Sequence, residues 1–232
     1  MSEYWPLDIE AVRNMERDEP FICMFSGGKD CTLALSKVIS EGNLCGIIHC
    51  IDEEKNESVW HQQRADFAIK QLEAIGAPYE IHCTSIWKHR SRFIRILRKY
   101  AKEGIKSIVF GDLTMESSAR LEAALSIGAG LNIKLPLWKR NYDKVICEYE
   151  ERKIQSIITY IAKSSNIDIS EWLGKEYNRE AYNYFKKLGI DPFGEYGEFH
   201  TTVVNADFFV HGLEYSLGDI EEVEEGYRVI IK

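Results

Sequence analysis

Short apolar runs alternate along the first 135 positions with longer stretches whose apolar residues recur every three to four places. The short runs predict strands at 21–25, 44–51, 79–83 and 106–111. The longer stretches predict helices at 30–41, 58–75, 88–103 and 116–128. Segment 58–75 sets Ala65, Ala68, Ile69, Leu72 and Ile75 on one helical face, and segment 88–103 does the same with Phe93, Ile96, Leu97 and Tyr100. Gly76 and Gly104 stand where those helices should stop. A short helix at 7–17 precedes the first strand. Strand and helix in turn predict a parallel sheet with helices on both faces. Such sheets bind ligands beyond the carboxyl ends of their strands, so the loops after 25, 51 and 111 should share one crevice.

The rhythm changes near Leu135. A strand at 131–135 leads into Pro136-Leu137-Trp138, then a helix at 141–151, a strand at 155–161 and a helix at 178–188. A loop from Gly189 to His200 precedes Thr201-Thr202-Val203-Val204, and Tyr227–Ile231 reads as an antiparallel strand. The expected division is a helical extension over 1–20, an α/β domain over 21–135 and a smaller α+β domain over 136–232. With no repeat or low-complexity linker, the second domain should pack on the first and cover its crevice.

Composition narrows the class. The 232 residues suffice for one large or two small domains, and 45% hydrophobic content supports a packed globule. A net charge of −8 without a long basic run argues against gripping nucleic acid as the main task. No apolar run reaches spanning length, so no membrane association is expected. The first twenty residues lack the apolar core of a leader, and a cytoplasmic location is the default. The six cysteines form no C-x-x-C, which reads as reduced, buried thiols. Cys31 is set apart by its neighbours.

Those neighbours are Ser26-Gly27-Gly28-Lys29-Asp30, between an apolar strand and a helix. Paired glycines are commonly only a turn. Followed by a helix start, which offers unpaired N–H groups and a positive dipole end, they suit phosphate. Lys29 would add a mobile cation, and Asp30 would hold Mg²⁺ or orient the loop. No Walker sequence and no G-x-G-x-x-G is present. The second dense stretch runs from Asp191 to Thr201. Glu195 and Glu198 there have the chemistry to bind an amine, hold a metal or act as a base, although a solvated acidic loop is the commoner reading on composition alone. His61, before a helix, reaches a bound nucleotide or simply sits at an exposed helix start. Asp112, after a strand, suits Mg²⁺ or ribose, whereas Asp52 lies in a solvated run. Arg120 and Glu122 either approach the crevice or form a salt-bridged helix surface, the commoner outcome. The basic stretch Trp87–Arg92 with Arg95 and Lys99 either meets an acidic protein substrate or is a charged helix face.

Ser26–Asp30 resembles the PP-loop Ser-Gly-Gly-Lys-Asp-Ser of the ATP pyrophosphatases. Gly194-Glu195-Tyr196-Gly197-Glu198-Phe199-His200-Thr201 is similar to the Gly-Glu-Asn/Gly-Gly-Glu-Phe/Tyr-x-Thr signature of the diphthine–ammonia ligase family within them. Pro136-Leu137-Trp138, Trp172-Leu173-Gly174 and Gly189-Ile190-Asp191-Pro192 agree in order, so the likeness runs from about Phe21 to Phe209. It implies a Rossmann-like (HUP-type) PP-loop domain for ATP and a C-terminal substrate domain. It also implies Mg²⁺, adenylation of a carboxylate with release of pyrophosphate, and displacement of AMP by ammonia. In the named members that carboxylate belongs to diphthine on elongation factor two.

Carried onto this chain, Ser26, Gly27, Gly28, Lys29, Asp30, Cys31, Thr32, His61, Gly111 and Asp112 fall on the ATP side. Gly194, Glu195, Gly197, Glu198, His200 and Thr201 fall on the substrate side. Lys29, Asp30, Glu195 and Glu198 are the catalytic candidates, and Asp30 is the metal candidate. A homodimer is among the expected assemblies. The chain departs from the pattern at Cys31, where the family has Ser and where Thr32 compensates only if the helix starts one residue later, and at Tyr196. Phe199-His200-Thr201 and Gly111-Asp112 look like bacterial relatives, which lack diphthamide and act on something else; a cobalamin-related role has been suggested for some. The same loop also serves tRNA-thiolating and lysidine-type enzymes, against which the missing C-x-x-C and the acidic charge argue, and a non-catalytic nucleotide sensor is the remaining alternative.

Overall fold

The structure, a computed structural model, describes residues 5–84 and 89–232. At its centre is β1 (Pro20–Met24), flanked by β2 (Asn43–Asp52) and β3 (Tyr79–Thr84) on one side and by β4 (Ser107–Val109) and β5 (Asn132–Lys134) on the other. All four pairings are parallel, in the order β3-β2-β1-β4-β5. The order reverses between β1 and β4, and a crevice opens beyond the carboxyl ends there. Helix α1 (Ile9–Arg13) precedes β1, and between the strands run α2 (Lys29–Val38), α3 (Ala65–Ile75), α4 (His89–Lys102) and α5 (Glu116–Ala129).

The alternation along β1 shows why it is apolar throughout. Phe21, Cys23 and Phe25 pack with α2 and α3, whereas Ile22 and Met24 pack with α1, α4 and α5. A strand with helices on both faces has no solvent side to mark with polar residues.

The remaining chain adds α6 (Tyr142–Glu151), β6 (Gln155–Ala162), α7 (Ile169–Trp172), α8 (Arg179–Leu188), β7 (Phe199–Asn205), β8 (Leu217–Glu222) and β9 (Gly226–Ile231). Its strands form an antiparallel sheet, ordered β7-β6-β9-β8. One apolar cluster runs through both parts and joins Phe21, Leu33 and Leu72 to Tyr149, Phe185 and Val229.

Several elements differ from expectation. Helix α1 is shorter than 7–17. Helix α3 begins at Ala65, not at 58, because residues 52–64 fold back on the end of β2. Ser58 bridges Ile51, Val59 N–H donates to the Cys50 carbonyl at 3.1 Å, and Asn56 and Gln62 take positive φ. The short helix α7 and the edge strand β8 were not expected; β8 is acidic and exposed, so it shows no alternation to read. Position 88, the expected start of the fourth helix, and Trp87 and Lys88 of the basic stretch lie outside the described residues. All six cysteines are free, and Cys83 and Cys147 are exposed against the expectation of burial. No helix among the described residues is long and apolar enough to cross a membrane.

Candidate active site

The loop after β1 is braced from behind by the second domain. Gly27 has φ +88°, a value that favours glycine, and a side chain there would collide with Gln71. Its carbonyl accepts from Val203 N–H of β7 and from Gln71 Nε2, both at 2.9 Å. Gln71 Nε2 also donates to the Val203 carbonyl at 2.6 Å, so one buried amide ties α3, the loop and β7 together. Thr201 Oγ1 accepts from the Lys29 N–H at 3.1 Å. Thr201 therefore fixes the start of α2 and does not line the crevice.

Helix α2 begins at Lys29 with Gly28 as its cap, so Thr32 does not take the place of the missing serine. The Thr32 hydroxyl turns inward and donates to the Gly28 carbonyl at 2.8 Å. Cys31 fills the place itself. Its sulfur accepts from Ser26 Oγ at 3.2 Å and from the Ser26 and Gly27 N–H groups, and its thiol donates to the Gly28 carbonyl at 3.2 Å. Burial pushes the thiol up, so Cys31 sits neutral in the loop's nest of amides.

Lys29 is not the mobile cation the sequence suggests. Only 3% exposed, its ammonium is bound to Asp30 Oδ2 at 2.9 Å and donates to the Phe193 carbonyl. The rings of Tyr177, Phe193 and Phe199 surround it, with centroids 4.9–5.7 Å away. A cation over several ring faces, with a carboxylate and a carbonyl as partners, is held inside the second domain and away from the crevice.

The crevice has a volume of about 390 Å³. The loop contributes Ser26, Asp30 and Cys31; the end of β4 contributes Gly111 and Asp112; the segment before β7 contributes Gly194, Glu195, Gly197 and His200; and His61 closes one side. Gly111 is required by closeness, since a side chain there would lie 2.6 Å from the Cys31 nitrogen. Gly27, Gly28, Lys29, Thr32, Glu198 and Thr201 stand behind this wall. Glu198 faces its own loop, where its carboxylate accepts from Tyr196 N–H at 3.0 Å and Asp191 N–H at 3.4 Å. Its position one residue before a paired strand turns it back onto the turn.

The crevice is acidic. Asp30 Oδ1 is buried and has no hydrogen-bond partner among the described residues. Burial raises the Asp30 carboxyl, against the lowering effect of Lys29. Glu195 accepts from Leu113 N–H at 3.1 Å and is pushed up to about 8 by burial, with Asp30 and Asp112 adding to the rise. Glu122, from α5, is held well above the carboxylate range by burial and by the charge of Asp112, and it carries the proton of that pair. Among the described residues neither lysine nor arginine lines this space.

His61 and His200 stack at 5.1 Å, and His200 stacks in turn on Tyr160 at 4.8 Å. His61 Nδ1–H donates to the Thr201 carbonyl at 3.1 Å. Burial lowers His61 to about 4 and His200 to about 3, so both rings are neutral at pH 7.

An apolar pocket of about 330 Å³ adjoins the crevice and shares Met24, Trp60, Phe110, Ser118 and Glu122 with it. Val59, Arg90, Phe93, Leu121 and Leu125 complete its walls. Its size and lining suit a flat heterocycle. Among the described residues no three His, Cys, Asp or Glu side chains form a ready metal cage. Mg²⁺ needs only one or two carboxylates when phosphates supply the rest, and the unpartnered Asp30 oxygen suits that role.

Glu122 lines the crevice, where a salt-bridged helix surface was the commoner expectation. Its signal was present: Ala119, Ala123 and Ser126 form the buried face of α5, and Glu122 borders it. Arg120 does follow the surface expectation, paired with Glu116 at 3.4 Å. Trp60, Met115 and Ser118 also line the crevice, and no sequence signal marked them.

Two family models match the chain, the diphthamide synthase N-terminal domain over residues 20–125 and the diphthamide synthase C-terminal domain over residues 141–232. No curated protein matches it. Among solved structures, a protein described as a predicted subunit of tRNA methyltransferase from Methanocaldococcus jannaschii aligns at 16% identity. That alignment covers 81% of this chain and 97% of that one, with a TM-score of 0.43, and adds nothing to the fold read from the sheet orders. The two family matches take in both the loop after β1 and the segment before β7, and the chain belongs to the diphthamide synthase family, the diphthine–ammonia ligases with a PP-loop domain.

Proposed function

We propose that the protein is an ATP-dependent amide ligase, with residues 21–135 binding ATP and residues 136–232 presenting the carboxylate and ammonia. One observation carries the reading. The amide-rich start of α2 and the Gly194–His200 segment open into a single acidic crevice, with an apolar pocket of purine size beside it. The purine occupies that pocket, and the phosphates lie over the start of α2, where N–H groups and the helix dipole favour negative charge. Asp30 would hold the Mg²⁺ that accompanies ATP, which would supply charge neutralisation for the departing pyrophosphate. Among the described residues no lysine or arginine lines the crevice to do so instead.

A carboxylate oxygen attacks the α-phosphorus, and pyrophosphate leaves. Ammonia then attacks the acyl carbon, and AMP leaves with the former carboxylate oxygen. Ammonium is the abundant form at neutral pH, so its proton must be taken up first. Glu195, poised at about 8, is matched to that transfer. The Gly194–His200 segment shields the adenylate from water. Diphthine on elongation factor two is the acceptor this reading names. The test is to supply ATP, Mg²⁺, ammonium and candidate carboxylates and to follow nucleotides and acceptor mass. AMP, pyrophosphate and an acceptor with amine in place of hydroxyl are expected. ADP with phosphate, or ATP bound without turnover, would refute it.

A further inference from the structure

Helix α4 carries Arg90, Arg92, Arg95, Arg98, Lys99 and Lys102 and no acidic residue, in a chain whose net charge is −8. Two of these are tied down. Arg92 donates to the Cys83 carbonyl at 3.0 Å and pairs with Glu53, and Lys99 pairs with Glu80 at 2.8 Å. Arg95, Arg98 and Lys102 are exposed, and no carboxylate among the described residues pairs with them. A shallow concavity of about 390 Å³ lies between α4 and β3, lined by His82, Cys83, Arg92, Arg95, Ile96 and Lys99. Among the described residues β3 is the edge of the parallel sheet, bonded to β2 on one side alone. Arg90, on the same helix, lines the apolar pocket that adjoins the crevice.

We propose that the β3 edge and the basic face of α4 form a docking surface for an extended acidic segment of a protein partner. Resting on the proposed ligase activity, this partner is the protein that carries the carboxylate. An edge strand offers unpaired main-chain groups that a further strand satisfies, and side chains alternating along that strand meet the basic face. The basic row from Arg92 to Lys102 spans about 15 Å, the reach of four or five extended residues. Nucleic acid has no use for a row of main-chain donors and acceptors. A cluster of positive charge on one face of an acidic molecule also steers a negative partner to that face, beside the crevice.

Fluorescence anisotropy on the full chain tests this with a labelled peptide of alternating Glu and Thr, the same peptide with Thr replaced by Pro, and oligouridine of equal length. The Glu–Thr peptide is expected to bind, more weakly as salt rises. The Arg95→Glu, Arg98→Glu, Lys102→Glu triple variant is expected to lose roughly tenfold or more in peptide affinity, with ATP affinity and circular dichroism unchanged. The proline peptide, which cannot pair with an edge, is expected to lose a similar factor. Peptide binding unaltered in the triple variant, or absent at low salt, overturns the proposal. Equal binding of the proline peptide overturns the strand pairing, and tighter binding of oligouridine overturns the protein partner. Failure of the wild-type chain to bind ATP tells instead against the ligase reading, whatever the peptides do.

Discussion

Lys29 and Glu195 show how burial decides what a charged residue does. Lys29 is caged between Asp30, the Phe193 carbonyl and three rings, so its ammonium braces the two domains. Lys29→Met keeps the packing and leaves Asp30 without its counter-charge. A loss of about 2–4 kcal/mol in urea unfolding is expected, discounted because Asp30 is partly exposed. ATP affinity measured by calorimetry should be unchanged; a marked weakening would return the ammonium to the phosphates. Glu195 has a folded value of about 8 against an ordinary 4.5, so the folded state binds more protons between those limits. Its contribution is full below pH 4.5 and is lost as pH rises through 8. Glu195→Gln should therefore flatten the fall in stability between pH 5 and 8, by roughly 1–3 kcal/mol across that span. Parallel stability curves for the variant and the parent would show that Glu195 titrates normally. Neither behaviour was legible in the residue's own neighbourhood, because the partners come from 82 and 164 positions away.

The elements were the most legible level. The strands β1 to β3 and the helices α2, α5, α6 and α8 follow from apolar spacing and from residues suited to their ends. Asn141 and Asn178, for example, cap α6 and α8 with their side chains. Where local pattern misled, long-range bonds had replaced it. The apolar spacing of 58–75 suits a helix, yet its first turns instead bridge to the end of β2 and carry Trp60 and His61 to the crevice. Strand β7 is the element that converts a fold into a site, since it holds the Gly27 carbonyl through Val203 and reaches Gln71 on α3. Gln71→Leu should remove that tie at a cost of about 1–3 kcal/mol, read by urea unfolding, and weaken ATP binding. An unchanged ATP affinity would mean that the loop holds its shape without β7.

The whole molecule has one main core across both parts, reinforced where Arg152 donates to the Ser36 carbonyl at 2.7 Å and Ser36 Oγ donates to Asp207 Oδ1 at 2.9 Å. Calorimetry and fluorescence should thus report one coincident unfolding transition, and a fragment ending at residue 140 should not fold cooperatively. Two separated transitions would show independent domains. The sequence by itself determined the parallel sheet, the glycine loop between β1 and α2 and the family, because periodicity and a strand–glycine–helix motif act over few residues. Only the tertiary structure decided which of those residues face the crevice. It turned Lys29, Glu198 and Thr201 into braces and admitted Glu122, because burial and pairing depend on what the distant chain places opposite each side chain.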